Sequence, residues 1–184
     1  MPETTKLTHM FDHTWASISL AYWLKYPSPE RPDVLSVDLI DRHFDPDTGI
    51  LTARRIITSR MPFPSWLTKV VPWDLNVDFM ALEEAVIDPK AQTMNLTGQN
   101  ITLSGVLRLT EKCLYKANPE NSTQTCLIQE AETQSELFWA VARKVESWSL
   151  QSFTEKAVLG RKIMDDTSSR ICEQLESTGR VQHS

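Results

Sequence analysis

VLSVDLIDRHFDPDTGILTARRIITS, residues 34–59, holds two segments with β-strand patterning on either side of a five-residue turn. In the first, Leu35, Val37 and Leu39 alternate with Ser36, Asp38 and Ile40, the period of a half-buried strand. Asp45-Pro46-Asp47-Thr48-Gly49 supplies the turn, and the second strand spans residues 50–59. Asp45 and Asp47 suggest a calcium loop, but a third acidic ligand before the glycine and the distal Glu are missing, so turn chemistry accounts for them. On the second strand Leu51, Ala53, Arg55 and Ile57 share one face, which puts an arginine on the more apolar side. A buried guanidinium needs an anion. Glu83 or Asp38 would supply one internally; a ligand phosphate would supply one from outside, and an Arg fork is well shaped for it.

The hairpin predicts its neighbours. Before it, residues 6–11 read as a short strand, Asp12 or Thr14 as an N-cap, and residues 15–25 as a helix stopped by Tyr26-Pro27-Ser28-Pro29. After it, strands are expected at residues 75–87, 93–103, 105–116 and 123–134, about seven in all, with connections short enough for antiparallel pairing. A helical pattern covers residues 135–176, with a bend or break expected near Gly160. The fold class is therefore α+β, one antiparallel sheet against a long C-terminal helix, with room for an apolar cavity between them. Residues 1–176 form the single domain and residues 177–184 a flexible tail.

Between the hairpin and the next strand lies RMPFPSWLTKVVPWD, residues 60–74. Pro62, Pro64 and Pro72 exclude a central strand, yet Phe63, Trp66, Leu67, Val70, Val71 and Trp73 make the loop apolar. Such a loop is either a plug folded into the core or a lid that offers aromatics to a lipid surface.

Composition excludes several classes. A net charge of −5 argues against a nucleic-acid binder, and no apolar run reaches transmembrane length. Neither a signal peptide nor a transit peptide is legible in the first residues. Cys113, Cys126 and Cys172 match no zinc pattern and read as buried free thiols; a bridge between Cys113 and Cys126 across a turn is the one disulfide to weigh against that reading. No hydrolase, P-loop or zincin motif occurs, His9 and His13 lack a third metal ligand, and no nucleophile stands with a base, so no catalytic residue, metal or cofactor is nominated. Lys25 ends the first helix, where the dipole favours a cation, and with Arg55 it forms a candidate phosphate seat. Lys144, Lys156, Arg161 and Lys162 read first as a solvated helix face.

His9-Met10-Phe11-Asp12-His13, Lys25-Tyr26-Pro27-Ser28-Pro29, residues 34–43, Arg54-Arg55-Ile56, residues 86–89 and Lys144-Val145-Glu146-Ser147-Trp148 together resemble the PRELI domain family, over about residues 6–175. The resemblance implies a START- or phosphatidylinositol-transfer-like fold with a curved sheet and a lidded lipid cavity. It implies a carrier of phosphatidic acid, or less readily phosphatidylserine, in the mitochondrial intermembrane space. It further implies a small helical chaperone partner with paired cysteines and peripheral contact with anionic membranes. Lys25, Arg55 and Lys156 stand at the family's headgroup positions, Arg60 stands at the lid entrance, and residues 62–73 match the lid. Departures are Ser152 and Leu159, where some phosphatidic-acid carriers are basic, and a lid carrying only Arg60 and Lys69. A regulatory domain that docks a protein through the same loop is the alternative, and a lipid-processing enzyme ranks last.

Overall fold

The computed structural model describes residues 2–61, 63–69, 77–137 and 139–181. Its elements are β1 (Glu3–Phe11), α1 (Trp15–Leu24), β2 (Val34–Phe44), β3 (Leu51–Ser59), β4 (Phe79–Asp88), β5 (Thr93–Asn100), β6 (Leu107–Asn118), β7 (Asn121–Ser135) and α2 (Trp139–Val181). The strands form one curved antiparallel sheet in the order β1-β7-β6-β5-β4-β3-β2, so the first strand closes against the last and every other neighbour is a hairpin partner. This is the α+β architecture expected from the hairpin outward.

Local chemistry fixes the boundaries. Thr14 is the N-cap of α1, its side chain accepting from the Ser17 N–H at 3.2 Å. In the β2–β3 turn Asp45 accepts from the Asp47 N–H at 2.9 Å and the Thr48 hydroxyl at 2.7 Å, and Gly49 adopts φ +79°, the left-handed conformation that glycine takes without a Cβ penalty. Asp45 is thus spent on the turn. On the edge strand β2, register shifts between Val34 and Ser36 and between Leu39 and Asp41 mark irregularities that bend the sheet edge.

One expectation needs correction. α2 is a single helix of 43 residues with no break at Gly160, and it continues to Val181, past the expected end at residue 176. A helical glycine costs only about 1 kcal/mol, and buried positions on both sides of Gly160, from Val145 to Ile171, hold the helix against the rest of the fold. All three cysteines are free, Cys113 buried and Cys126 and Cys172 half-buried, so the bridge weighed between Cys113 and Cys126 is not formed. Cys113 pairs with Gln129 on the inner face, whereas Cys126 pairs with Lys116, and its odd offset from Gln129 puts it on the opposite face of β7.

The core divides in two. One cluster joins Phe11, Trp15, Ile18 and Tyr22 to Met94, Tyr115, Leu127, Met164 and Ile171 at the C-terminal half of α2. The other gathers Leu67 and Val145 with Phe63, Trp66, Leu103, Leu107 and Trp148 at its N-terminal half. Between them the sheet and helix stand apart.

Candidate functional site: a polar-floored cavity under an aromatic loop

The gap is a cavity of about 240 Å³. Small residues make it: Ser149, Ser152, Ala157 and Gly160 on α2 face Ser59, Ala81 and Gly98 on the sheet. Its walls are mostly apolar, including Ile57, Leu96, Leu107, Leu109, Leu127 and Phe153, and a few charged groups converge on it. A concave apolar space with sparse polar groups is the usual form of a small-molecule or lipid site.

Its floor is one transverse rung of the sheet. Arg55 pairs with Glu83, Glu83 with Gly98, and Gly98 with Glu111. Arg55, 4% exposed, is held from inside: Nη2 and Nε donate to Glu83 Oε1 at 2.6 and 3.0 Å, and the guanidinium stacks over the Tyr22 ring at 3.9 Å. The Tyr22 hydroxyl donates to the same oxygen at 2.7 Å. Burial, then the adjacent Glu83 carboxylate, pushes the Tyr22 hydroxyl far above its usual range. Of the two partners left open for Arg55, the internal one is present, and Arg55 itself does not line the cavity.

Lys25, at the end of α1, does line it. Its Nζ stands 5.7 Å from the Tyr22 ring and 5.3 Å from the Tyr26 ring, and it has no carboxylate partner among the described residues. Lys156 also reaches the cavity, 3.7 Å from Asp33 Oδ2, and burial lowers its pKa. Asp33 is shared with Arg31, which donates Nε and Nη2 to its two oxygens at 2.7 and 2.9 Å. Those bonds hold the Asp33 carboxyl below the ordinary carboxylate value. Two cations on one carboxylate leave this rim with net positive charge. Arg60 is elsewhere: exposed, outside the cavity lining, its backbone N–H bonded to the Asp33 carbonyl at 2.7 Å.

The described part of the proline-rich loop lies closed. Leu67, in a single 3-10 turn (Leu67–Lys69), is 3% exposed, and Phe63 packs on Trp148 at 5.8 Å while lining the cavity. Lys144 stands 4.3 Å over the Trp66 ring. Val70, Val71 and Trp73 lie outside the described residues.

A family profile described as PRELI-like matches residues 16–176. The chain belongs to the PRELI-like family. Among its relatives, the slowmo homolog of Dictyostelium discoideum is 36% identical over 178 residues, covering 97% of this chain and 76% of that protein. The mitochondrial PRELI domain-containing protein 1 of Homo sapiens is 32% identical over 140 residues, 76% of this chain and 63% of that one. Two solved structures share the fold of this PRELI-like chain at low identity. An aromatase/cyclase, Zhui of Streptomyces sp. R1128, has TM-score 0.60 at 7% identity, covering 92% of this chain and 95% of that one. The protein TTHA0849 of Thermus thermophilus has TM-score 0.57 at 11% identity, covering 92% and 99%. Both have the START-like arrangement of a curved sheet around a C-terminal helix.

In the PRELI-like cavity the structure brings Lys25 and Lys156 to the lining and leaves Arg55 and Arg60 outside it. Among the lining residues that the sequence reading does not nominate are Arg31, Glu111, Gln129 and Arg161. Arg161 Nη1 donates to Gln129 Oε1 at 3.2 Å, and Gln129 Nε2 donates to Glu111 Oε1 at 2.6 Å. Glu111 and Gln129 sit at alternate, inward positions of β6 and β7, so strand parity was the available signal. Arg161 was visible only as one more cation on a helix.

Proposed function

We propose that this PRELI-like chain carries a phospholipid between membranes, with acyl chains in the cavity and the headgroup phosphate at Lys25. The observation that carries this reading is a lysine lining an apolar cavity without a carboxylate partner among the described residues. A half-buried ammonium in such surroundings is costly to leave unpaired, and a phosphate relieves that cost. Arg31 and Lys156, sharing one carboxylate, provide a second point of positive charge at the rim. Phosphatidic acid, whose headgroup is the phosphate alone, is the smallest that uses this charge, and phosphatidylserine adds an amine and a carboxylate to the same phosphate. The loop holding Phe63, Trp66 and Leu67 acts as the lid: packed on α2 in the closed state, it releases its aromatics to a bilayer surface when open.

Relatives named as mitochondrial support a mitochondrial carrier, and the family resemblance supports the intermembrane space, a small helical chaperone with paired cysteines and docking on anionic membranes. No covalent chemistry is invoked.

Transfer of labelled phosphatidic acid and phosphatidylserine between vesicles tests this. Lys25→Glu is expected to reduce transfer at least about tenfold, the scale of one lost charge-assisted contact, while its melting temperature stays near that of wild type. Wild-type protein that moves neither lipid faster than the spontaneous rate refutes the carrier reading.

A further inference from the structure

We infer that Glu111, standing over the notch left by Gly98, is the specificity-determining residue of the cavity and receives a primary ammonium group of the carried headgroup. The inference rests on the carrier reading and narrows its ligand to amine-bearing phospholipids. It starts from hydrogen-bond bookkeeping. Arg161 occupies Gln129 Oε1, which turns the Gln129 amide so that Nε2 points to Glu111 Oε1. The Cys113 thiol, whose pKa burial and then Glu111 push well up, donates to that same oxygen at 3.3 Å. Both donors are neutral and both sit on Oε1. Glu111 Oε2 keeps its acceptor capacity and has no hydrogen-bond or ion-pair partner among the described residues.

The other floor carboxylate differs. Glu83 is matched by Arg55 at 2.6 Å, so its charge is answered inside the fold. That of Glu111 is not. Gly98, paired in register with both glutamates, adds no side chain between them. A Cβ built at Gly98 would meet only Glu111, its Cβ and Oε2 each at 3.8 Å, so Oε2 leans over an open patch of sheet.

The cavity therefore offers a cation at Lys25 and an anion at Glu111 that are not paired with each other. A phosphate joined to a primary amine by a short linker answers both. Phosphatidic acid answers only the first and sets its own negative charge in the same cavity as Glu111, a like-charge approach of the kind that discriminates against a wrong ligand. Phosphatidylserine and phosphatidylethanolamine share the required ammonium.

The test uses the full chain and vesicles containing labelled phosphatidylserine, phosphatidylethanolamine, N-acetylated phosphatidylethanolamine or phosphatidic acid. Wild type is expected to move the two amines faster than the N-acetylated lipid and phosphatidic acid. Glu111→Gln keeps the acceptor at Oε1 but removes the charge, and is expected to slow both amines by about tenfold while leaving phosphatidic acid unchanged or faster. If Glu111→Gln unfolds, Gly98→Ala serves: its methyl sits at ordinary contact distance from Glu111, is unstrained at that φ and fills the notch. It is expected to slow the amines selectively. Equal slowing of all four lipids, preference of wild type for phosphatidic acid, or slowing of phosphatidylserine with phosphatidylethanolamine untouched overturns the subsite and leaves the carrier standing. Failure of wild type to move any lipid overturns the carrier reading itself.

Discussion

Replacing Glu83 by Ala removes the only carboxylate bonded to Arg55 among the described residues and leaves a guanidinium that is 4% exposed with a ring at 3.9 Å as its main company. Breaking a buried pair from one side costs about 3–5 kcal/mol, because the surviving charge stays desolvated. The Tyr22 hydroxyl loses its acceptor in the same step. Against a total stability of about 5–15 kcal/mol this is a large fraction, and for a chain of this size it converts to a fall in melting temperature of about 6–20 °C. Replacing both partners, as Arg55→Met with Glu83→Leu, removes charge and counter-charge together and is expected to return stability to within about 1.5 kcal/mol of wild type. Urea unfolding of wild type, each single variant and the double variant closes a cycle whose coupling energy isolates the pair. Lipid transfer by the double variant then separates support from recognition: if Arg55 only props the floor, transfer persists. A Glu83→Ala loss below about 1 kcal/mol refutes the buried-pair argument, and a folded double variant without transfer shows that the pair takes part in recognition as well as in support.

Gly160→Ala should stabilise the protein by about 0.5–1 kcal/mol, the helical preference of Ala over Gly, since a Cβ there meets nothing within 4 Å; destabilisation in urea titration would mean α2 needs a break at that point. His9, whose pKa burial and then Arg161 lower from 6.5, is disfavoured in its charged form by the fold. Its contribution is therefore fully present above about pH 6.5 and lost as pH falls below that value toward the folded pKa; unfolding free energies from pH 8 to 5 should decline through this window and flatten in His9→Gln, and an unchanged slope in the variant counts against it. Leu67→Ala, at a site 3% exposed in the loop cluster, should cost up to about 2–5 kcal/mol if the closed loop is part of the cooperative fold, whereas Trp66→Ala should chiefly weaken vesicle binding; identical vesicle co-sedimentation for Trp66→Ala and wild type would remove the lid role from this residue.

Strand positions and turns are legible because their signals, such as the turn residues at 45–49 and the proline at the end of α1, act within a few residues; the half-buried face read for residues 34–44 is not found, because β2 is the sheet edge and leaves Leu35 43% and Leu39 47% exposed. What stays open in the sequence is whatever depends on partners far along the chain. Gly160 reads as a breaker in isolation, but a helix held on both sides of the glycine absorbs its cost. Cys113 and Cys126 lie near one turn, yet an odd offset sends one inward and one outward, a parity that no count of intervening residues reveals without the register.

The same distinction sorts the site's charges. Arg55 was conspicuous because it interrupts an apolar face of a strand, yet conspicuousness marks a residue that must be buried, and burial demands a partner, which Glu83 provides from the next strand in direct register. Lys25 was explicable by the helix dipole alone, and it is the cation that faces the cavity without a carboxylate of its own among the described residues. Glu111 carries only the weak signal of strand parity, since an acidic residue on a strand reads as solvent-facing until the helix opposite is seen to stand away from it. A ligand site is built from charges the fold leaves unanswered, and a sequence shows charges but not their answers. On the proposed carrier reading, Arg55 with Glu83 is expected to serve stability and Lys25 and Glu111, left apart, recognition, and the two sets of variants are expected to separate along that line.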